Sequence, residues 1–436
     1  MIQTSQSLPG WVSGPDTRGS IDIIFSSFLA ILLCTWTSLC LNVPHPADGE
    51  LKILLRKIKW MLRGVLMPEA VLAVSFTQHA SARRSVQRFR ELGYSHWTLR
   101  HGHFANMGGI LLLPDNGTPF VADSSQVAFL VEKKYMECPN ITAEEIWDKS
   151  KADFFTKSLA LLQSSWFLFQ LLGRAIVLLP ITALEIFAGA IVFCSFGTFF
   201  CWLHKPNDVR KGITLKIGVS LHQIVSESEE AAVVFRHHIN HMPPRYPTIA
   251  KAFCRSPDGQ GQPLVRFSNG TFPGLTVSHK LAFIFVGEIF ATFHLAAWNS
   301  HFPTHFELLG WQIASSVITG TSLLIWLFEV LLFPPDDVCW EQLLNPFRCQ
   351  ELSSQWEIMK HGGESASTQA NRNSSTVRTK KLGLRLHAVY RLVICAVLIP
   401  LYVISRLFLV VTALSSLRSQ PAGVYTAFSI KDLSPR

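Results

Sequence analysis

Six ionisable residues stand inside long apolar stretches of this 436-residue sequence: Arg174, Glu185, Glu288, His294, Glu329 and Arg406. Charge in hydrocarbon is costly, so such residues are functional candidates once their ordinary structural uses have been weighed. Gln163, Gln170 and Arg174 are spaced by seven and four, which puts them on one helix face with Trp166 nearby. The turn at Pro180 brings Arg174 and Glu185 to a similar depth, where an ion pair between adjacent helices is the plainest use. Glu185 has a second plain use, because Thr182 and Glu185 have capping-box spacing, and Thr304 with Glu307 repeats it. His294 sits one turn before Trp298 and two turns after Gly287, so an imidazole and an aromatic ring share a face; bonding to a backbone carbonyl is its structural alternative. At about 1.5 Å per residue, Arg174, Glu185, His294, Glu307 and Arg406 fall in one half of the membrane. Carboxylates, an imidazole and aromatic walls in an apolar pocket would suit acid-initiated chemistry on a lipophilic substrate, since desolvation can keep a carboxyl protonated.

The elements that must position these groups are long helices. Hydrophobic residues make up 48% of the chain and charged residues only 16%, against about a quarter in soluble domains, and the mean hydropathy is +0.26. Six apolar blocks are long enough to span a bilayer: Ile21 to Leu41, Leu159 to Leu179, Thr182 to Leu203, Leu281 to Trp298, Leu309 to Phe333, and Val389 to Ala413. Trp60 to Ala80 is interrupted by Arg63, Pro68, Glu69, Gln78 and His79, and an interfacial helix or shallow insertion suits it better. The expected class is an all-α integral membrane protein of about six transmembrane helices, with a mixed loop region containing a small β-hairpin.

The resulting division is a short N-terminus (1–20), a first span (21–42), a region at 43–158, a hairpin of spans (159–203) and a loop at 204–280. A second hairpin (281–333), a partly disordered loop (334–388), a last span (389–415) and a tail (416–436) complete it. Most of the 39 Lys and Arg fall in the 43–158, 204–280 and 334–388 segments, which predicts a cytosolic face for these and a non-cytosolic one for both termini. The Asn-x-Ser/Thr sites at Asn116, Asn140, Asn269 and Asn373 would then be cytosolic and unmodified. An Asn-Gly turn between Gly109–Pro114 and Pro119–Val121 reads as the hairpin, and Thr142 with Glu145 as a helix start. Asp148, Lys151 and Asp153 follow, at the entrance to the second span; a solvated, capped helix start is their ordinary reading. The first apolar block is too long for a signal-peptide core and reads as a retained span.

Absent motifs narrow the chemistry. There is no phosphate-binding GxxxxGK[ST] loop, no GxSxG elbow and no DDxxD segment to hold magnesium against a diphosphate. The nine cysteines form no CxxC pair. His237, His238 and His241 mimic part of a di-iron box, as do His301 and His305, but the expected topology puts the two groups on opposite faces. No metal, no cofactor and no nucleic-acid partner is therefore expected; the excess of basic charge, +9 at neutral pH, belongs to the loops.

The runs Trp97 to Gly109, Asp148 to Asp153, Gln163 to Arg174, Leu179 to Glu185 and His294 to Glu307 together resemble a large family of fungal multi-pass membrane proteins. That family lies close to the integral membrane terpene cyclase of the ascofuranone pathway. The sequence departs from the pattern at Gln312 and Thr412. The resemblance implies a terpene cyclase in the endoplasmic reticulum or another endomembrane, acting on a lipophilic prenylated small molecule by protonating an epoxide or alkene. On that reading Glu185 or Glu307 is the general acid, His294 a proton acceptor or orienting partner, and Arg174 a charge partner. Gln163 and Gln170 line the substrate site, Trp166 and Trp298 offer ring faces to the cation, and Asp148, Lys151 and Asp153 are secondary candidates. The rival from another class is a non-enzymatic multi-pass protein whose polar layer is a structural or permeation network.

Overall fold

The computed structural model describes residues 7–14, 18–115, 119–150, 153–220, 223–224, 231, 234–235, 266–269, 277–332 and 393–428, with side chains left out at 9, 153–156, 277–280, 282–283, 326, 328–332 and 394–395. The segment expected to be a disordered loop at 334–388 and the histidines at 237–241 lie outside the described residues, as do Lys151, Asn116 and Asn373. Most of the described chain is helical. Five helices among the described residues are long and apolar enough to cross a membrane, or six if one bent pair is counted as a span.

These five are α1 (Ser20–Thr37), α7 (Asp153–Ile176), α8 (Ala183–Cys201), α10 (His305–Leu332) and α11 (Ile399–Ser415). Helix α9 (Val277–Leu295) packs along α10 and α8, and its apolar part, Ile284–Leu295, is shorter. Each of the five carries apolar side chains on the outside, among them Phe28, Leu172, Phe200, Ile313 and Ile404. Their inner faces close a core around Phe187, Ile191, Trp311, Ile318 and Leu409. A π-turn at Ile394–Leu398 precedes α11, just before Pro400 removes a backbone donor.

Two further helices, α2 (Glu50–Leu66) and α3 (Pro68–Glu91), meet at a bend of 113°. Proline at the first position of α3 cannot continue α2, which accounts for the break. Met67 at the apex is buried in the bundle core, whereas Glu50 pairs with Arg210 and Arg88 with Glu132 in the loop-rich layer. The pair therefore enters and leaves at one end. Within the 43–158 region, where the sequence predicts an interfacial helix or shallow insertion over Trp60 to Ala80, residues around Met67 are part of the bundle core.

That layer contains α4 (Leu99–Asn106), β2 (Ile110–Pro114), β3 (Phe120–Val121), α5 (Ser124–Glu132), α6 (Ala143–Asp148) and β4 (Ile213–Ile217). Strands β2 and β3 pair antiparallel, Leu112 against Phe120, as the hairpin pattern predicts. The parallel addition of β4, Leu112 against Leu215, makes a three-stranded sheet. Trp97 stacks on Phe89 at 3.9 Å and donates to Ser85 at 2.8 Å, which locks α3 to this layer. Gly102 is needed there, because a Cβ would lie 2.9 Å from the Ala82 carbonyl oxygen.

At the opposite end, β1 (Ser7–Pro9) pairs antiparallel with β5 (Ser419–Pro421). The start of α1 and the end of α11 thus lie at the same, strand-capped end.

Candidate functional site

The polar groups expected to form one layer fall into two separate places, and a third polar centre lies elsewhere in the molecule. The first is the strand-capped end. Thr182 and Glu185 form the expected capping box on α8, with Glu185 Oε2 accepting from Thr182 N at 3.0 Å and from its hydroxyl at 2.9 Å. Its other oxygen is bound by Arg18, not by Arg174. Arg174 instead donates to four carbonyl oxygens, those of Thr426 (2.7 Å), Pro180 (2.8 Å), Val424 (3.0 Å) and Gly423 (3.2 Å). The guanidinium with its five donors supplies partners for a turn and a tail that have no ladder of their own. Glu307 also closes its capping box with Thr304 and accepts from Arg418 at 2.6 Å and Ser415 at 2.8 Å. Both carboxylates are thus held in caps and by guanidinium groups.

The second place is the middle of the bundle, where α2 breaks. A helix end leaves carbonyl oxygens without partners, and inside a bundle no water replaces them. Arg406 of α11 supplies them: Nε donates to Leu66 O at 3.2 Å and Nη2 to Val65 O at 3.1 Å. Its third nitrogen donates to His294 Nε2, which makes the imidazole a neutral acceptor there. The guanidinium lies 4.6 Å from the Phe187 ring centroid and 4.9 Å from that of Phe290. Arg406 and His294 are both 0% exposed. His294 Nδ1 lies near the Phe290 and Ala291 carbonyls without a well-aligned hydrogen bond.

Glu69, in the first turn of α3, belongs to the same centre. Its carboxyl faces Tyr402, although the Glu69 Oε2 and the Tyr402 hydroxyl are both buried without a hydrogen bond of ordinary geometry. Five helices therefore meet around one cation, one imidazole, one carboxyl and one phenol.

The other expected residues do not join either place. Trp166 is half exposed and stacks on Phe169 at 5.6 Å, on the outside of α7. Trp298 is also exposed, and its carbonyl accepts from Gln312 at 3.0 Å. Gln163 and Gln170 are half-buried on α7, and Asp148 is exposed at the end of α6. Asp153 begins α7 with its side chain among those left out, as is that of Glu329, while Glu288 faces Ser322. The expectation that Glu185, Glu307, His294, Trp166 and Trp298 share one pocket is thus corrected. Helix caps hold the carboxylates at one end, and the two indoles face outward.

The third place lies where α1, α3 and α8 enter the loop-rich layer. Lys205 is buried, with Nζ donating to Gln78 Oε1 at 2.8 Å and Asn42 Oδ1 at 2.9 Å, 4.8 Å from the Trp202 ring centroid. Burial lowers its pKa from 10.5 to about 7, helped by the charge of Lys157 and opposed by Cys40. His103 is held well below the usual imidazole value, first by burial and then by Lys205 and His79. Asn269 accepts from Asn42 N at 2.6 Å and is itself buried, so it is unsuited to carrying a glycan, while Asn140 is exposed. Among the described residues no group of three His, Cys, Asp or Glu has metal-binding geometry.

Fold and sites together define a mostly helical protein with five or six candidate spans, a sharply bent helix pair and buried basic groups. The chain belongs to a family of unknown function, DUF8562, whose pattern matches residues 2–228 and 278–436. No curated protein matches it. No solved structure matches it either.

The sequence reasoning missed Glu69 and Tyr402 as site residues. A signal for Glu69 was present, since an acidic residue directly after proline in an otherwise apolar stretch marks a helix start inside the bundle.

Proposed function

We propose that this protein is a multi-pass membrane-bound terpene cyclase. It protonates an epoxide or alkene of a prenyl chain and lets the resulting cation close rings before losing a proton. No cofactor takes part, and the membrane is that of the endoplasmic reticulum or another endomembrane, with the loop-rich layer cytosolic and both termini on the other side. Outward apolar side chains on all five long helices support membrane insertion. The β1–β5 pairing brings residues 7–9 and 419–421 together, which supports an even number of crossings between them. Helix α9 supplies the sixth, while the α2–α3 pair returns to the end from which it came.

The observation that carries the reading is the buried Glu69–Tyr402 pair beside Arg406. It offers a carboxyl away from water, a phenol to relay its proton and a fixed neighbouring cation. In this reading Glu69, rather than the capped Glu185 or Glu307, donates to the epoxide oxygen as the C–O bond breaks, and its carboxylate takes the proton lost after ring closure; His294, whose Nε2 already accepts from Arg406, orients that cation. The resemblance in the motif runs gives the substrate class.

The test is expression in yeast microsomes with an epoxyfarnesyl phenol, followed by mass spectrometry. A protein-dependent isomer of unchanged mass is expected, abolished in Glu69→Gln and retained in Glu307→Gln. Loss in Glu307→Gln with retention in Glu69→Gln would return the acid role to the helix cap.

A second reading, a non-enzymatic multi-pass protein, is favoured by one observation: every nitrogen of Arg406 is already used in holding the fold. Unchanged substrate with well-inserted protein would support it.

A further inference from the structure

A cavity of about 390 Å³ opens beside Lys205, at the junction of α7, α8 and the loop-rich layer. Arg100, Lys157, His204 and Lys205 line it, together with Ser150 and Ser158. No carboxylate lines it among the described residues. Lys205 is 4% exposed, and its hydrogen bonds go to neutral amides rather than to an acid. A positive charge on Lys205, held at such depth by amides alone, is costly, so the cavity it borders is suited to an anion that enters it.

The remaining wall says what carries the anion. Leu161, Phe199 and Leu203 line one side. That side continues into the exposed apolar faces of α7 and α8, where Leu162 is 69% and Phe200 62% exposed. Basic groups and hydroxyls at one end of an apolar track match an amphiphile whose head is anionic and whose tail lies along the helices. Arg100, which also lies over the Trp147 ring at 4.5 Å, provides a planar fork suited to two oxygens of one head.

We propose that this cavity is a binding site for a phosphate monoester headgroup, with Arg100, Lys157 and Lys205 as its charged contacts and the α7–α8 surface as the seat of the attached chain. A monoester carries close to two negative charges and three acceptor oxygens, which matches several donors better than a diester with one charge does. The site lies apart from Glu69, Tyr402 and Arg406, so it does not depend on the cyclase reading.

The test uses the full-length protein in nanodiscs of phosphatidylcholine, alone or with phosphatidic acid or phosphatidylglycerol, and reads retained lipid by native mass spectrometry. Inorganic phosphate and glycerol 3-phosphate, added to phosphatidylcholine discs, form a separate arm read by thermal shift. Retention of phosphatidic acid about tenfold above phosphatidylglycerol is expected, falling about tenfold in Arg100→Gln and in Lys205→Gln. Because Lys205→Gln alters a buried position, His204→Gln at the exposed rim gives a further variant, for which a smaller loss is expected. A thermal shift by glycerol 3-phosphate that Arg100→Gln abolishes, without lipid retention, would keep the headgroup and replace the lipid by a soluble ester. Equal retention of both anionic lipids, or retention unchanged in Arg100→Gln and His204→Gln, would overturn the proposal.

Discussion

Arg406 and Lys205 are both buried basic groups with no hydrogen bond to a carboxylate among the described residues, yet their surroundings differ in kind. Arg406 is closed in on every side: two carbonyls of a broken helix, an imidazole and two ring faces use its whole guanidinium. Lys205 is held by two side-chain amides and borders open space. A planar group with five donors fixes a fold, whereas a point charge with three donors can be held by two and still face a cavity. The contrast separates a cation that serves backbone geometry from one whose setting leaves room for chemistry.

Replacing Arg406 with Leu should break the first half of that contrast. Two carbonyls and His294 would lose their donor, and a loss of about 3–5 kcal/mol is expected, read as a collapse of the folded fraction in detergent melts. Arg406→Lys should recover little, because one ammonium cannot serve Val65, Leu66 and His294 together.

Lys205→Met should cost less, on the order of 1–3 kcal/mol, because it leaves the oxygens of Asn42 and Gln78 short of one donor while removing a buried charge. Its pH signature is more telling. The folded pKa of about 7 lies below the unfolded value of 10.5, so between these pH values the unfolded chain binds more protons. The stability of the wild-type protein should therefore rise as pH increases from about 7 towards 10, and this component should vanish in Lys205→Met. Thermal melts at matched ionic strength in phosphatidylcholine discs check it.

The helix caps are expected to show the smallest effects. Thr182→Ala removes a buried hydroxyl from the α8 box and should cost about 1 kcal/mol. Breaking the Glu307–Arg418 pair through Arg418→Gln should change melting by less than about 1 kcal/mol, since Arg418 is largely exposed.

The long helices, the β2–β3 pairing and the capping boxes at Thr142, Thr182 and Thr304 were legible because each depends on residues near one another in sequence. The partners of the buried charges were not. Arg18 with Glu185 and Arg174 with Thr426 join residues far apart, and depth along a helix fixes height in the bundle without fixing direction around it. For the same reason Trp166 turned out to face outward on α7, while His294 faces the core. The bent pair was only half legible: polar interruptions excluded a plain span, but nothing local shows that Pro68 would stand beside Arg406.

The β1–β5 ladder also sets an order for the making of the protein. Strand β1 leaves the ribosome before the helices of the bundle and β5 after them, so the early strand must wait, edge unpaired, while every helix between them is made. Arg174 waits too, since three of its four carbonyl partners belong to residues 423–426. The strand-capped end can therefore close only after synthesis of α11, and interruption just before residue 419 would leave the bundle open at that end.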